Sequence, residues 1–182
     1  MRLIVGDKTF DEPVEVRLDP TISVSPADLK AQLDLQMKLR DMQTAANSAL
    51  RFLDSIEEQL KHTQTTAKSL NKEPDKDMMK ALEDYIKQVD ALQDHLARRS
   101  EGLGLPGKIQ ISNRVGDIFF ALDGTNAAPT PYQLQYYQEI QPEFRERMVE
   151  ANRFINDTVP QWNEKLRAWN LPTLTTRKPV DF

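Results

Sequence analysis

The side chains that could do catalytic chemistry are few, and their spacing does not bring them together. The chain contains two histidines, His62 and His95, and neither has a second histidine at helical spacing with which to hold a metal ion. No cysteine is present to supply a thiolate nucleophile or metal ligand. The sequence also lacks a G-x-S-x-G motif, and no glycine-rich phosphate loop follows a predicted strand. We therefore expect no catalytic residue, no metal site and no cofactor in this chain.

Carboxylate pairs are the remaining candidates for catalysis, because glycoside hydrolases use two carboxyl groups beside the scissile bond. A catalytic acid needs an apolar pocket that raises its pKa, and nothing in the sequence around these pairs indicates such a pocket. We interpret them as parts of solvated helix surfaces and predict that this chain is not an enzyme. The pairs close in sequence are Glu57 with Glu58, Glu83 with Asp84, and Glu139 with Glu143.

Aromatic side chains could instead bind a ligand, because ten of the thirteen lie from Phe119 onward. One interpretation is a platform on which sugars stack. The other is a helix core, because several aromatics recur on one apolar face, where large side chains fill the interior. They are Tyr137, Phe144, Trp162 and Trp169. The spacing favours the core. The residues expected to form a binding surface, if the first interpretation holds, are Tyr132, Tyr136 and Trp169.

The elements that would position these side chains are mostly helices, because apolar residues recur at helical spacing along most of the sequence. Ser25-Pro26 has the N-cap serine and N1 proline of a helix start. From Leu35 to Leu70, apolar or small residues recur at alternating spacings of four and three. This seam predicts coiled-coil-like packing of a helix from Pro26 to about Leu70. Three further helices are predicted, from about Asp75 to Arg99, from Ile111 to Leu122 and from about Pro131 to Trp169.

Prolines and glycines limit this helical pattern. Pro142 and Pro160 fall inside the last helix, and an interior proline costs about 3 kcal/mol and kinks or breaks a helix, so we expect a bend or short break near each. The segments "NKEPDKD" and "SEGLGLPGK" are predicted to separate the second helix from its neighbours. The last residues, "LPTLTTRKPVDF", are predicted to be extended.

The helix lengths limit the topology. The first helix would be about 67 Å long and the last nearly as long, at about 1.5 Å per residue, and the second and third together match the first. These lengths favour a mainly α fold, an elongated up-down bundle of three long rods with the middle rod broken. The alternative is a conventional four-helix bundle, in which the third helix reverses direction at Gly102–Gly107.

A short β-hairpin is predicted before the helices. Leu3 and Val5 alternate along a first strand, Gly6-Asp7-Lys8 supplies a turn, and Val14, Val16 and Leu18 alternate along a second. Nothing later in the sequence has the pattern of a strand to pair with them. Because an isolated hairpin is marginal in water, we expect it to need a sheet or a helical surface for cover. The predicted units are residues 1–20, the hairpin, and residues 21–182, the helical bundle.

Composition excludes several classes of protein. The 182 residues carry a formal net charge of −4, with basic and acidic side chains interspersed, so no basic patch indicates nucleic-acid binding. No apolar run approaches the roughly 20 residues needed to cross a bilayer. We recognise no signal peptide after Met1. Glycines are few, as expected for a chain that is mostly helical.

Several segments, taken in order, resemble a known family. "RLIVGDKTFDEPVEVRLDP" resembles the closing strands of an Ig-like or fibronectin-like domain. It is followed by "SPADLKAQLDLQMKLRD", "LGLPG", "NAAPTPYQLQYYQEIQPEF" and "VPQWNEKLRAWNLPTL". Together they resemble the C-terminal region of large bacterial exported proteins of the BNR-repeat glycosyl hydrolase or sortilin (Vps10)-like type. In that family a β-propeller comes first, an Ig-like domain next and a helical region last.

The resemblance implies a role for the chain. Residues 1–20 would be the remnant of a preceding Ig-like domain, and residues 21–182 a non-catalytic helical module that acts as a spacer, packing or association element. The enzymatic activity of the family belongs to its propeller, so no catalytic residue carries over. The expected partners are the preceding Ig-like and β-propeller domains, with homo-association as a further expectation, in the periplasm or outside the cell. The alternatives are a glycan-binding accessory module that uses the aromatic-rich final third, and a stand-alone helical adaptor.

Overall fold

The computed structural model describes residues 1–70, 74–97, 109–175, 178 and 180–182. The protein is mainly helical: four helices pack together, and a short two-strand antiparallel hairpin precedes them, as predicted. The strands are β1 (Arg2–Val5) and β2 (Lys8–Asp11). The helices are α1 (Pro26–Leu70), α2 (Lys76–Leu96), α3 (Ile111–Asp123) and α4 (Pro131–Arg153), which continues through a π-helical turn (Phe154–Thr158) into α5 (Val159–Ala168).

The helix starts follow the capping residues in the sequence. The Ser25 hydroxyl accepts a hydrogen bond from the backbone N–H of Asp28 at 3.1 Å, which confirms the predicted N-cap of α1. Asp75 caps α2 through its carboxylate. Thr130 and Gln133 form a reciprocal capping box at the start of α4. These side chains satisfy backbone N–H groups that the first helical turn leaves without partners.

The middle rod is broken, and both of its pieces run antiparallel to α1. The helix α2 contacts the C-terminal half of α1, and α3 contacts its N-terminal half. The arrangement in which α3 reverses direction is therefore wrong. Three hydrogen bonds establish this order: Gln93 to Asp54 at 2.7 Å, Gln43 to Ser112 at 2.8 Å, and Gln32 to the Leu122 carbonyl at 2.6 Å.

The last rod returns alongside the middle one. Glu150 on α4 contacts His95 near the end of α2 at 3.2 Å, and Trp162 on α5 stacks on Tyr85 of α2 with 4.1 Å between ring centroids. The α4–α5 rod therefore runs antiparallel to α2 and parallel to α1. The helix α2 ends at Leu96, before the predicted Arg99. The predicted break at residues 100–108 and residues 71–73 of the predicted turn lie outside the described residues.

The heptad seam of α1 forms the centre of the core, and the predicted seam positions whose side chains are described are all buried. The apolar residues that recur at helical spacing along α3 are buried as well: Ile111, Val115, Ile118 and Leu122. On α2 the apolar repeat predicts that Leu92 is buried. It is only partly buried, and Gln93 is buried instead, because Gln93 reaches the carboxylates of Asp54 and Glu57 on α1. Tyr137 and Trp169 at the two ends of the last rod are also only partly buried. The buried α1 positions are Leu35, Leu39, Met42, Ala46, Ala49, Leu53, Ile56, Leu60, Thr63 and Ala67.

The two interior prolines have different effects. The helix α4 is not broken at Pro142, which is exposed, so water can solvate the carbonyl of Gln138 that the proline leaves without a partner. Pro160 is the second residue of α5, one residue after the end of the π-helical turn, in which the backbone N–H of Val159 donates to the carbonyl of Phe154. The predicted break near Pro160 is therefore a π-helical turn inside a continuous rod.

The hairpin differs from its prediction in the second strand. The strand that pairs with β1 is Lys8–Asp11, with Arg2 opposite Asp11 and Val5 opposite Lys8, whereas residues 14–18 form no strand. The turn is the two-residue loop Gly6-Asp7, and Gly6 has φ +57. A glycine at the first central position is what a tight hairpin of this kind favours, and this turn brings Lys8 rather than Val14 opposite the first strand.

Candidate functional site

Two of the carboxylates singled out in the sequence, Glu57 and Glu143, are bonded to side chains of other helices. Glu57 is bonded by Lys61 one turn away and by Gln93 on α2. Glu143 on α4 pairs with Arg114 on α3. Within the described ranges there is no group of three or more histidine, aspartate or glutamate side chains that could hold a metal ion. The Glu57–Gln93 and Glu143–Arg114 contacts connect one rod to another.

Two of the three predicted binding residues lie together. The rings of Tyr132 and Tyr136 stack with centroids 6.0 Å apart and an interplanar angle of 17°, and Tyr132 is 72% exposed. The spacing of four residues places both on one face of α4. Trp169 lies at the end of α5, about 50 Å further along the rod at the usual helical rise. The tyrosines therefore form an aromatic surface of their own, which does not include Trp169.

Arg114 fixes the inner edge of this aromatic surface. Its guanidinium donates to the Tyr136 hydroxyl at 3.1 Å, pairs with Glu143 and lies 5.5 Å from the centroid of the Tyr136 ring. Burial lowers the pKa of Arg114, but the hydrogen bonds to Tyr136 and Glu143 and their Coulomb attraction outweigh burial, so the pKa is raised overall. Arg114 is therefore a permanent cation that holds Tyr136 in place and leaves the Tyr132 ring exposed.

A groove between α1 and α3, lined by polar residues and two phenylalanines, was not predicted from the sequence. It has a volume of about 500 Å³, and Gln43 and Asn47 of α1 face Ser112 and Gly116 of α3 across it. The Gln43 amide nitrogen donates to Ser112 and to Asn47, while its Oε1 has no hydrogen-bond partner among the described residues. Phe120, 73% exposed, lines the same groove. Only the pairing of α1 with α3 brings these residues together, so no local motif could have indicated them.

The largest run of exposed apolar side chains is at the N-terminal end of the described chain. The strands β1 and β2 contact each other and no described helix, and every residue of both is exposed. Asp19, which follows this run, accepts hydrogen bonds from the Thr21 hydroxyl and backbone N–H, and both bonds lower the pKa of its carboxyl group. The exposed apolar residues, each about half exposed or more, are Leu3, Ile4, Val5, Phe10, Val14, Val16 and Leu18.

None of the helices that the structure describes is long and apolar enough to cross a membrane. The sequence matches no known protein family, no characterised protein and no solved structure.

Proposed function

We propose that this chain is a non-catalytic helical module from the C-terminal region of a larger exported protein of the BNR-repeat glycosyl hydrolase or sortilin-like type. In that protein the hairpin completes a preceding Ig-like domain, and the bundle is a spacer, packing or association element in the periplasm or outside the cell. The observation that carries the proposal is the hairpin, whose apolar side chains no described helix covers.

The bundle buries its own apolar side chains, whereas the hairpin leaves its apolar side chains exposed. The bundle encloses a continuous core of buried residues on all of its helices. The hairpin has three consecutive apolar residues in β1 and two unpaired strand edges, which favour the addition of further strands. A two-strand hairpin alone is marginal in water. An adjoining sheet would therefore cover these side chains and pair the free edges, which is the role the proposal gives to the Ig-like domain.

Removal of residues 1–20 tests this proposal. We expect the truncated chain to keep its helical circular dichroism signal, because α1 has its own N-cap at Ser25 and the helices enclose their own core. We also expect light scattering to show less self-association than for the whole chain, because the exposed strands are gone. Loss of the helical signal would overturn the proposal, since the hairpin would then be an integral part of the helical fold.

A second candidate function, glycan binding, is favoured by the stacked Tyr132 and Tyr136. An exposed aromatic ring can stack on the apolar face of a sugar, and Arg114 keeps the pair in position. Titration with soluble glycans while tryptophan fluorescence and tyrosine NMR shifts are recorded tests it. We expect Trp162, which is buried, to report no change. Saturable shifts confined to the two tyrosines, and lost in Tyr132→Ala, would replace the first proposal with this one.

A further inference from the structure

The residues after α5 turn back along the last rod and enter the core. The described part of this C-terminal tail is residues 171–175, 178 and 180–182. Leu171, Leu174 and Val180 are buried, with 8%, 3% and 7% of their surfaces exposed. Phe182 lies edge-on to Phe144 of α4, with centroids 6.4 Å apart. The tail therefore passes from the end of α5 back to the middle of α4.

Two asparagine side chains hold the backbone of the tail. The Asn163 amide donates to the Leu174 carbonyl at 2.9 Å and accepts from the Leu174 backbone N–H at 2.6 Å. The Asn152 amide does the same for Val180, at 2.8 and 2.7 Å. Each side chain thus satisfies both backbone groups of one tail residue, as a neighbouring β-strand would. These bonds recognise an extended backbone and do not depend on the side chain of the residue they hold.

Six residues, the number from Leu174 to Val180, are enough to reach from Asn163 to Asn152. Asn152 and Asn163 are eleven residues apart on one rod, about 16 Å at the usual helical rise. Leu174 and Val180 are six residues apart, and six residues can span at most about 20 Å. From the other side, Gln59 of α1 accepts a hydrogen bond from the backbone N–H of Thr175 at 2.8 Å. We call this surface between α1 and the α4–α5 rod, formed by Gln59, Asn152 and Asn163, the tail groove.

The turn that directs the tail into the groove depends on one strained residue. Asn170 has φ 56, the left-handed region, and it is the one non-glycine residue with a positive φ in the described part of the chain. The backbone N–H of Leu171 donates to the Leu166 carbonyl at 2.8 Å, and that of Asn170 to the Arg167 carbonyl at 3.0 Å. This is a Schellman motif with asparagine in the position that usually holds glycine.

We propose that the tail groove is an extended-peptide site whose occupant can be exchanged, and that its partner in trans is the tail of a second copy of this chain. The hydrogen bonds from Asn152 and Asn163 and the apolar contacts beside them are the same whether the tail comes from the same chain or from a second copy. The two forms therefore differ only at the turn around Asn170. The second copy is the partner because its tail has the leucine, valine and phenylalanine that the groove already accommodates. This inference does not depend on the proposed function.

A labelled peptide tests the groove in the whole chain. The full-length double variant Leu174→Asp and Val180→Asp weakens its own tail, because buried carboxylates are costly. We expect it to bind a fluorescein-labelled peptide of residues 171–182 with a saturable rise in anisotropy. Binding should be at least about tenfold weaker to the wild type, whose own tail competes, and to the double variant that also carries Asn163→Ala. The matched control peptide carries the two aspartates and should not bind.

Three results with the peptide would overturn the inference. The first is absence of binding to a double variant whose circular dichroism is unchanged. The second is equal binding to the wild type, which would place the peptide elsewhere on the surface. The third is equally tight binding of an unrelated peptide with leucine and valine six residues apart, which would make the groove a general peptide site rather than a site for a second copy.

The turn at Asn170 gives an independent test that leaves the groove intact, and it decides the matter if the double variant does not fold. Alanine at position 170 strains the left-handed turn, and glycine relaxes it. We measure the dimer fraction by size exclusion with light scattering after incubation at high concentration. We expect it to rise about fivefold in Asn170→Ala and to fall in Asn170→Gly. Equal dimer fractions in both variants would overturn the exchange. A dimer formed through the hairpin would instead disappear with residues 1–20 and be insensitive to position 170.

Discussion

Buried amide side chains hold the rods of this bundle in register. Gln32 of α1 donates to the carbonyls of Leu122 and Thr125 at the end of α3, each at 2.6 Å. Gln93 of α2 donates to Asp54 of α1. Because a buried amide without a partner costs free energy, sliding either rod along the apolar seam would leave these groups unsatisfied. The seam buries the apolar side chains, and the buried amides determine the register in which neighbouring helices pack.

The residues of the seam determine the stability of the bundle. Leu53, Ile56 and Leu60 are at most 1% exposed, so their predicted burial is confirmed. Ile56→Ala removes apolar contacts and leaves a cavity, and we expect it to lower the free energy of unfolding by about 2–5 kcal/mol in urea denaturation. The matched control is Leu33→Ala on the same helix, where the leucine is 54% exposed. That change should stay within about 0.5 kcal/mol, and equal losses in both variants would contradict the seam.

At the scale of elements, periodicity predicts what local sequence determines. The alternation of four and three along α1 fixes its buried face before any partner is known, which is why the seam is correct. The burial of Gln93 rather than Leu92 on α2 could not be predicted, because it depends on the carboxylates of α1 with which Gln93 forms hydrogen bonds. The stacked pair Tyr132 and Tyr136 could be predicted, because its spacing of four residues lies within one helix. The tail groove and the α1–α3 groove could not, because they form only when the rods pair.

The hairpin and the π-helical turn show a second limit of sequence patterns. Alternation of apolar residues is stronger in residues 14–18 than in Lys8–Asp11, but the two-residue turn at Gly6-Asp7 determines which residues face the first strand. Near Pro160 the sequence predicts a disruption but not its form. Phe154 of the π-helical turn packs edge to face against Trp162 of α5, with ring centroids 5.2 Å apart, and this contact holds the turn against α5. Turn geometry and tertiary packing decide both cases.

The capping box at α4 provides a prediction at the scale of an element. The Thr130 hydroxyl accepts from the backbone N–H of Gln133 at 3.2 Å, and the Gln133 side chain accepts from the Thr130 N–H at 2.8 Å. We expect Thr130→Ala to lower the free energy of unfolding by about 1 kcal/mol, measured by thermal and urea unfolding. Gln110 occupies the same N-cap position at α3 without a side-chain cap, so Gln110→Ala is the matched control. A loss as large in the control would show that the box contributes nothing.

The helical part of the molecule is a rod because each helix either continues in the direction of the one before it or runs antiparallel to it. The pieces of the middle rod lie end to end on α1, and α4 continues into α5 without changing course. One core therefore extends along the full length of α1 instead of closing into a sphere. An elongated module has its ends far apart. The start of α1 and the Tyr132–Tyr136 pair lie at one end, and the turn after α5 lies at the other. This separation suits the proposed role of a spacer.

Solution scattering at the scale of the whole molecule decides whether the rod is as long as α1. A rod about 67 Å long and about 25 Å wide has a radius of gyration of about 21 Å, whereas a compact globular chain of this length has about 16 Å. We expect small-angle X-ray scattering, extrapolated to zero concentration so that association does not contribute, to give the larger value. The chain without residues 1–20 is the control, because it removes the contribution of the exposed hairpin. A value near 16 Å for that control would mean that α2 and α3 do not lie end to end along α1.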